Sequence, residues 1–136
     1  QEARSSRGDS AKRGYSLLIR SKKLLRASKD KTCVNCGVGD DTVVSAHYQG
    51  FRSQSFGKGK SIKVHDICCA DLCYRCHSAF DRNDPSLSHL ENSWSKKIDI
   101  SEQFLFCVIQ TIIRRIGDGT IKIEGYDPDG IPNRKK

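Results

Sequence analysis

Two pairs of cysteines, each with two residues between its members, constrain the fold of this chain most. Cys33 and Cys36 form the first pair, and Cys73 and Cys76 form the second pair 40 residues further on. Structural zinc takes four thiolate or imidazole ligands in a tetrahedron, and the C-x2-C spacing places two sulfurs on one turn of chain. The two pairs therefore predict one zinc ion that ties two distant segments together.

The composition agrees with a domain that depends on a metal for stability. The chain has 136 residues, enough for one domain. Its hydrophobic fraction is 36% and its mean hydropathy is -0.58, which predicts a thin core. An odd count of seven cysteines and a polar, basic start favour a reducing compartment, where such pairs bind zinc instead of forming disulfides. The adjacent Cys68 and Cys69 remain as alternative ligands. No apolar run is long enough to cross a membrane, so no membrane partner is expected.

The positive charge is concentrated at the start of the chain. The net charge is +8, and residues 1–32 carry ten Lys or Arg against three acids, which is +7 of that total. A basic segment beside a zinc module predicts a polyanionic partner, most simply nucleic acid. A solvated basic tail is the alternative. We divide the chain into a disordered basic arm (1–15), a single domain (16–124) and a polar tail (125–136).

Hydrophobic periodicity predicts three helices and three strands. A basic amphipathic helix is expected over 16–29, a helix from Cys73 to about Arg82, and an apolar helix over 101–116 with Ser101 as its N-cap. Strands are expected over 42–45 leading to His47, over 61–67, and over 121–124. The apolar helix is either core or the face of a homo-oligomer.

Several cations could contact phosphate groups. The glycine-rich loop 50–60 carries Arg52, Lys58 and Lys60, with Phe51 and Phe56 between the charges. Glycines let a backbone approach phosphates closely, and the cations neutralise them. The basic helix adds further candidate phosphate ligands, although these charges could equally form its solvated side: Lys22, Lys23 and Arg26.

His77 and Asp81 are four residues apart on the helix predicted after Cys73, so they project from one face. Such a pair can hold a divalent ion and leave positions open for water and a phosphate oxygen. A hydrogen bond on the helix surface explains the spacing equally well.

The order of these features resembles that of the zinc-stapled HNH, or ββα-metal, nucleases. More narrowly, RSKKLLRAS, SAHYQGFR, the KG-K…HDI segment, CYRCHSAFDR and IIRRIGDGTIKI look like a family of small lambdoid-prophage proteins described as HNH-type nucleases. The resemblance covers about residues 20–124. It implies an α+β fold, with a small zinc-stapled ββα-metal core and flanking N-terminal and C-terminal helices.

The resemblance also implies residue roles. His47 matches the general base, His77 matches a ligand of a catalytic Mg2+ or Mn2+, and Asp81 lies where some HNH nucleases place a further ligand. Two positions depart from the pattern: Ala46 stands where a metal-binding Asp or His is usual, and Cys68 falls near the Asn that orients the base. Asp66 could supply the missing ligand or hydrogen bond, with His65 or Asp71 as alternatives.

The function implied is a metal-dependent DNA endonuclease of phage or prophage origin, which hydrolyses phosphodiester bonds in the cytoplasm of a bacterial host. The alternative is a catalytically silent, zinc-stapled DNA-binding or recombination accessory module, which the absence of a ligand at Ala46 favours. A third interpretation is a zinc-folded protein-interaction domain that uses helix 101–116 as its contact face.

Overall fold

The computed structural model describes residues 17–130, so the predicted basic arm (1–15) and the end of the tail lie outside the described part. The elements in chain order are α1 (Lys22–Arg26), β1 (Val44–His47), β2 (Cys69–Leu72), α2 (Tyr74–Asp81) and α3 (Ser93–Gly117). Short 3₁₀ turns occupy Ser53–Phe56, Pro85–Leu87 and Pro128–Gly130. None of the helices within residues 17–130 combines the length and the apolarity needed to cross a bilayer.

The centre of this small α+β fold is a two-stranded antiparallel sheet. β1 pairs with β2 so that Val44 lies opposite Leu72 and His47 lies opposite Cys69. All four residues of β2 are buried, because α3 packs on this strand and β1 covers its edge. α1 packs against β1. The pairing fixes His47 at the end of β1 beside the beginning of β2.

α2 begins where the sequence predicted. Cys73 is its N-cap, and its Sγ accepts a hydrogen bond from the backbone N–H of Cys76 at 3.5 Å. The helix ends at Asp81 with Arg82 as C-cap, and Asp84 then caps the 3₁₀ turn that starts at Pro85. The prediction of a helix from Cys73 to about Arg82 is confirmed.

α3 is longer than predicted, and the assignment of its N-cap to Ser101 is wrong. The helix starts at Ser93, where the Oδ1 of Asn92 accepts from the N–H of Ser95 at 3.0 Å. Ser101 is buried two turns inside the helix, and its Oγ lies 2.6 Å from the Oη of Tyr48. Its hydroxyl therefore serves a tertiary contact, which a capping pattern in the sequence does not reveal.

α3 has one buried face and one exposed face. Cys107 is buried in line with Phe104 and Val108, so this face forms the core. The opposite face exposes large apolar side chains. They are Ile98, Phe106, Ile109 and Ile113.

Four other predicted elements differ from the structure. β1 covers Val44–His47 and so includes His47, instead of 42–45. α1 covers only Lys22–Arg26, with Ser21 as N-cap, instead of 16–29. Residues 61–67 form no strand, because the N–H groups of His65 and Asp66 donate to the carbonyls of Phe56 and Ile19 and not to β1. The predicted strand 121–124 is irregular chain. Each segment has local strand or helix propensity, but propensity alone does not decide whether a segment forms regular structure.

A buried ionic network joins the sheet to the helices. Asp71 on β2 is fully buried and accepts hydrogen bonds from Ser28, from Arg114 at 2.8 Å and from Arg115 at 3.0 Å. Arg115 is only 1% exposed and also donates to Ser45 on β1 at 2.9 Å. Asp71 therefore points into the core, which removes it as an alternative ligand for a surface metal.

Candidate metal centre and histidine site

The four cysteines of the two C-x2-C pairs come together as predicted. The Sγ atoms of Cys33, Cys36, Cys73 and Cys76 all lie within 4.8 Å of one another, which is close enough to hold a metal ion such as zinc. Three of the four are buried, and Cys36 is exposed. Cys68 and Cys69, the alternative ligands, are not part of this group.

Local backbone geometry brings the first pair into position. The N–H of Cys33 donates to the carbonyl of Val38 at 2.8 Å, and the N–H of Gly37 donates to the carbonyl of Cys33 at 2.8 Å. Gly37 has a φ of 85°, a left-handed conformation that a residue with a Cβ adopts only with strain. The N–H of Val34 donates to the carbonyl of Asp71, which attaches this turn to β2.

The second pair sits at the start of α2, with Cys73 as N-cap and Cys76 in the first turn. The side-chain amide of Asn35, which lies between Cys33 and Cys36, donates to the Sγ of Cys76 at 3.2 Å. This contact orients one sulfur of the second pair toward the first pair. The segment that carries Cys33 and Cys36 is thus connected to the start of α2 by a hydrogen bond as well as by the sulfur cluster.

The pKa values of two cysteines in the cluster shift in opposite directions. Burial raises the pKa of Cys33, but hydrogen bonds with the backbone of Cys73, Cys36 and Asn35 outweigh it and bring the pKa down to about 7. Burial raises the pKa of Cys76 far above its usual value, with a smaller contribution from the charge of Cys33. Four clustered thiolates need a positive ion to neutralise them, so the donor set fits zinc.

His47 is held by a carboxylate. Its Nε2 lies 2.9 Å from the Oδ1 of Asp66, and the two side chains are 13% and 5% exposed. Burial raises the pKa of Asp66, but hydrogen bonds from His47 and the N–H of Ser21 outweigh it, so the net pKa lies below the usual value. Asp66 therefore stays ionised and fixes the orientation of the His47 ring.

Asp66 is in turn held by the segment that precedes α1. Its Oδ2 accepts from the N–H of Ser21 at 2.7 Å, and its Oδ1 accepts from the Nη1 of Arg20 at 3.2 Å. Ile19 donates its N–H to the Nδ1 of His65 at 2.9 Å, so His65 contributes to this attachment and not to a metal site. The sequence carried no signal for Arg20 and Ser21, because they meet Asp66 across 46 and 45 residues.

His77 and Asp81 form a second, separate pair. The Nε2 of His77 lies 3.3 Å from the Oδ2 of Asp81, and both side chains are partly exposed beside a surface cavity. The side chain of Gln49, two residues after His47, donates to Asp81 at 3.4 Å. Within residues 17–130, the four cysteines are the one group of three or more His, Cys, Asp or Glu whose ligand atoms cluster within 4.8 Å. The structure thus does not bring His47, Asp66, His77 and Asp81 into one ligand cluster.

Cationic side chains border the His47 site. Arg20 and Lys63 line a cavity of about 550 Å³ with His47 and Asp66. Lys58 and Lys63 line a neighbouring cavity of about 270 Å³ that His47 also borders. Lys63 is a further cation that the sequence did not single out.

The other predicted phosphate contacts are spread over the surface. Arg52 and Lys60 are exposed on the loop, and Lys22, Lys23 and Arg26 are exposed on α1. Among the ion pairs of the described residues, none involves these five residues or Lys58. All six cations are therefore available for an anionic partner.

The two aromatic residues of the loop 50–60, Phe51 and Phe56, differ in how far their rings are exposed. Phe56 is partly buried, with its ring 6.0 Å from that of Tyr48 in an edge arrangement. Phe51 is exposed. Of the two aromatic residues that lie between the loop charges in the sequence, Phe51 is therefore the one that presents its ring to solvent.

The fold and this site define a small α+β protein with a four-cysteine cluster able to bind a metal. The chain matches no protein-family model, no curated protein and no solved structure.

Proposed function

We propose that this protein is a metal-dependent DNA endonuclease of the HNH type, of phage or prophage origin. The observation that carries the proposal is the His47–Asp66 pair, with 2.9 Å between Nε2 and Oδ1, at the edge of two cavities lined by cations. A carboxylate-oriented imidazole next to positive charge is the arrangement needed to activate water beside a phosphodiester.

The chain order supports a ββα-metal interpretation of the core. β1 ends at His47, β2 pairs with it, and α2 follows at once with His77 and Asp81 on its surface. A zinc ion held by the four cysteines would connect the first cysteine turn to the start of α2. The zinc would then be structural, and it would keep the helix that carries His77 next to the sheet that carries His47.

His47 would act as the general base. When its Nε2–H donates to Asp66, the lone pair of Nδ1 is the one that can accept a proton from an attacking water. Asp66 stabilises the imidazolium that results, because its carboxylate stays ionised. In this role Asp66 replaces the orienting Asn of the HNH pattern, which falls near Cys68 here.

His77 and Asp81 would hold the catalytic ion. Two partly exposed protein ligands fit Mg2+ or Mn2+, because such ions keep several waters and bind substrate phosphate directly. When bound there, the ion would polarise the phosphate and stabilise the leaving oxygen. Gln49, which contacts Asp81, orients that carboxylate from the His47 side.

The cations would place the DNA strand. Lys58 and Lys63 border the cavities at His47 and would contact the phosphate that is cleaved. Arg52 and Lys60 would extend this contact along the loop, and the exposed cations of α1 would contact the flanking backbone.

The test is nicking of supercoiled plasmid by the full chain with Mg2+ or Mn2+. We expect His47→Ala to reduce the rate by about 10² to 10⁴-fold, the usual contribution of a general base. Asp66→Asn should give a smaller loss, because the ring stays in place but its charge partner is gone. His89→Ala is the matched control, since His89 is exposed and lies outside the site. Equal nicking by wild type and His47→Ala, with equal zinc content and circular dichroism, would refute the assignment.

A second candidate is the catalytically silent, zinc-stapled DNA-binding or recombination accessory module. Two observations favour it: the His77–Asp81 pair has no third ligand in its cluster within residues 17–130, and Ala46 is buried in the core. The nicking assay separates the two functions, because a silent module would bind the plasmid without cutting it.

Two further predictions remain. Self-association through the exposed face of α3 would be detected by gel filtration or sedimentation, and an Ile109→Glu variant on that face should dissociate any dimer. Residence in the bacterial cytoplasm also stays a prediction.

A further inference from the structure

Two exposed aromatic rings meet at the surface close to the His47 site. Phe51 is 54% exposed and Trp94 is 62% exposed. Their ring centroids are 5.4 Å apart, with an angle of 50° between the planes. Large aromatic side chains in contact usually bury each other in a core, so a pair left open to solvent offers its faces to a partner.

The loop that carries Phe51 is held rigidly. The N–H of Phe51 donates to the Oγ of Ser101 at 2.9 Å, and the N–H of Arg52 donates to the Oη of Tyr48 at 3.1 Å. Gly50 passes so close that an added Cβ would lie 2.3 Å from both of those oxygens. The chain there has no room for a side chain at residue 50, and the backbone around Phe51 is held against Tyr48 and against Ser101 on α3.

Two exposed cations lie close to the pair in the chain, although Glu91, three residues before Trp94, is also exposed. Arg52 follows Phe51 directly and is exposed, and Lys97 is exposed about one turn after Trp94. Neither takes part in an ion pair among the described residues. Aromatic faces next to unpaired cations complement a nucleic-acid strand, in which bases and phosphates alternate, better than an apolar protein surface.

The pair is also close to the proposed catalytic base. Phe51 lies four residues after His47, so their Cα atoms are at most about 14 Å apart even if the intervening chain were fully extended. A strand whose phosphate is at His47 can therefore present a base a short distance away at the aromatic pair.

We propose that Phe51 and Trp94 form a stacking platform for unpaired nucleobases, so that the strand bound at this face is single-stranded. Bases in an intact duplex are stacked on each other and cannot cover an aromatic side chain, whereas unpaired bases can. The cleavage consequence, a preference for flaps, overhangs or single strands, rests on the proposed nuclease function; the binding consequence does not.

The experiment uses the fact that Trp94 is the only tryptophan in the chain. The full zinc-loaded chain, without added Mg2+ or Mn2+, is titrated with a 12-nucleotide oligo-dT strand and separately with a blunt duplex of equal phosphate number. We expect saturable quenching of tryptophan fluorescence by the single strand and much weaker quenching by the duplex. Phe51→Ala should weaken single-strand binding by about 5- to 150-fold and leave duplex binding nearly unchanged.

Phe106→Ala is the matched control. Phe106 is 56% exposed on the same helix, but it lies 12 residues beyond Trp94, about 18 Å along the helix axis. Its removal should not alter single-strand affinity or quenching. Binding of Trp94→Ala, which has no tryptophan signal, is measured by anisotropy of a labelled strand and should fall like that of Phe51→Ala.

Three results would overturn the proposal. They are equal quenching by strand and duplex, unchanged single-strand affinity of both Phe51→Ala and Trp94→Ala, or a change of oligomeric state in these variants without a change in affinity. The last result would assign the pair to a protein contact. Failure of the nuclease proposal appears instead in the plasmid assay with His47→Ala, so the two are distinguishable.

Discussion

In the buried network around Asp71, replacing the acid should destabilise the fold more than replacing its partner Arg115. Asp71 is fully buried and Arg115 is 1% exposed, with 3.0 Å between Oδ1 and Nη2. Asp71 also accepts from Arg114, whereas Asp71 is the only acid that pairs with Arg115 in the described residues. Removing the acid leaves a buried cation without a counter-charge, but removing the arginine leaves the acid still paired.

The magnitudes follow from these contacts. Asp71→Asn keeps the shape but removes the charge, and breaking a buried pair from one side costs about 3–5 kcal/mol. Arg115→Met removes three hydrogen bonds made by Nη2, but it also removes two buried donors, Nε and Nη1, that have no partner in the described structure. Ser28 and Ser45 remain hydrogen-bonded to each other at 2.6 Å. Losing the three hydrogen bonds of Nη2 destabilises the variant by about as much as removing the two unpaired buried donors stabilises it. We therefore expect Arg115→Met to change the free energy of unfolding by at most about 1.5 kcal/mol.

The assay is urea unfolding followed by far-UV circular dichroism, at a fixed excess of zinc so that metal linkage is equal in all variants. With a slope of about 2 kcal/mol per molar urea, Asp71→Asn should lower the midpoint by about 1.5–2.5 M. Arg115→Met should shift it by less than about 0.8 M. If Arg115→Met lowered the urea midpoint as much as Asp71→Asn does, the two partners would contribute equally to stability, contrary to this prediction.

Three further predictions concern the metal, acid stability and DNA. One zinc per chain should survive gel filtration, and Cys33→Ser or Cys76→Ser should abolish zinc retention and cooperative unfolding; a well-folded, metal-free protein would contradict the four-cysteine site. Because the pKa of Asp66 lies below its ordinary value of 3.8 in the folded protein, its stabilising effect is present above that value and disappears as the pH falls through the lowered pKa. Asp66→Asn should therefore flatten the loss of stability below pH 4 in acid titrations, and an unchanged acid profile would exclude this contribution. DNA affinity should fall steeply with salt, and the double variant Lys58→Ala, Lys60→Ala should make the slope of log affinity against log salt shallower by about 1.8; a flat response in wild type would argue against phosphate contacts.

The metal centre could be predicted because its signal is local. The C-x2-C spacing fixes two sulfurs on each turn, whatever the rest of the chain does, and zinc chemistry then requires the two turns to meet. Gly37 and the start of α2 at Cys73 belong to the same short-range pattern, which involves residues at most a few positions apart. His47 at the end of β1 follows from the β-branched run before it.

Contacts between residues far apart in the chain decided the features that the sequence predicted wrongly. Local propensity predicted a strand over 61–67, but the strand that pairs with β1 is β2. The four residues of β2 are apolar or shielded and can therefore be buried under α3. The capping pattern at Ser101 failed for a similar reason, since its hydroxyl contacts Tyr48 across 53 residues. A sequence pattern of a few residues does not encode such partners.

The sequence by itself determined the four-cysteine ligand set, the basic charge and the candidate histidines, since residue type and short spacing define these. Only the tertiary structure decided that Asp66 orients His47, that Arg20 and Ser21 hold Asp66, and that the His77–Asp81 pair does not join them in one ligand cluster. The physical reason is that hydrogen bonds and ion pairs act over about 3 Å in space, whereas Arg20 and Asp66, for example, lie 46 residues apart in the chain.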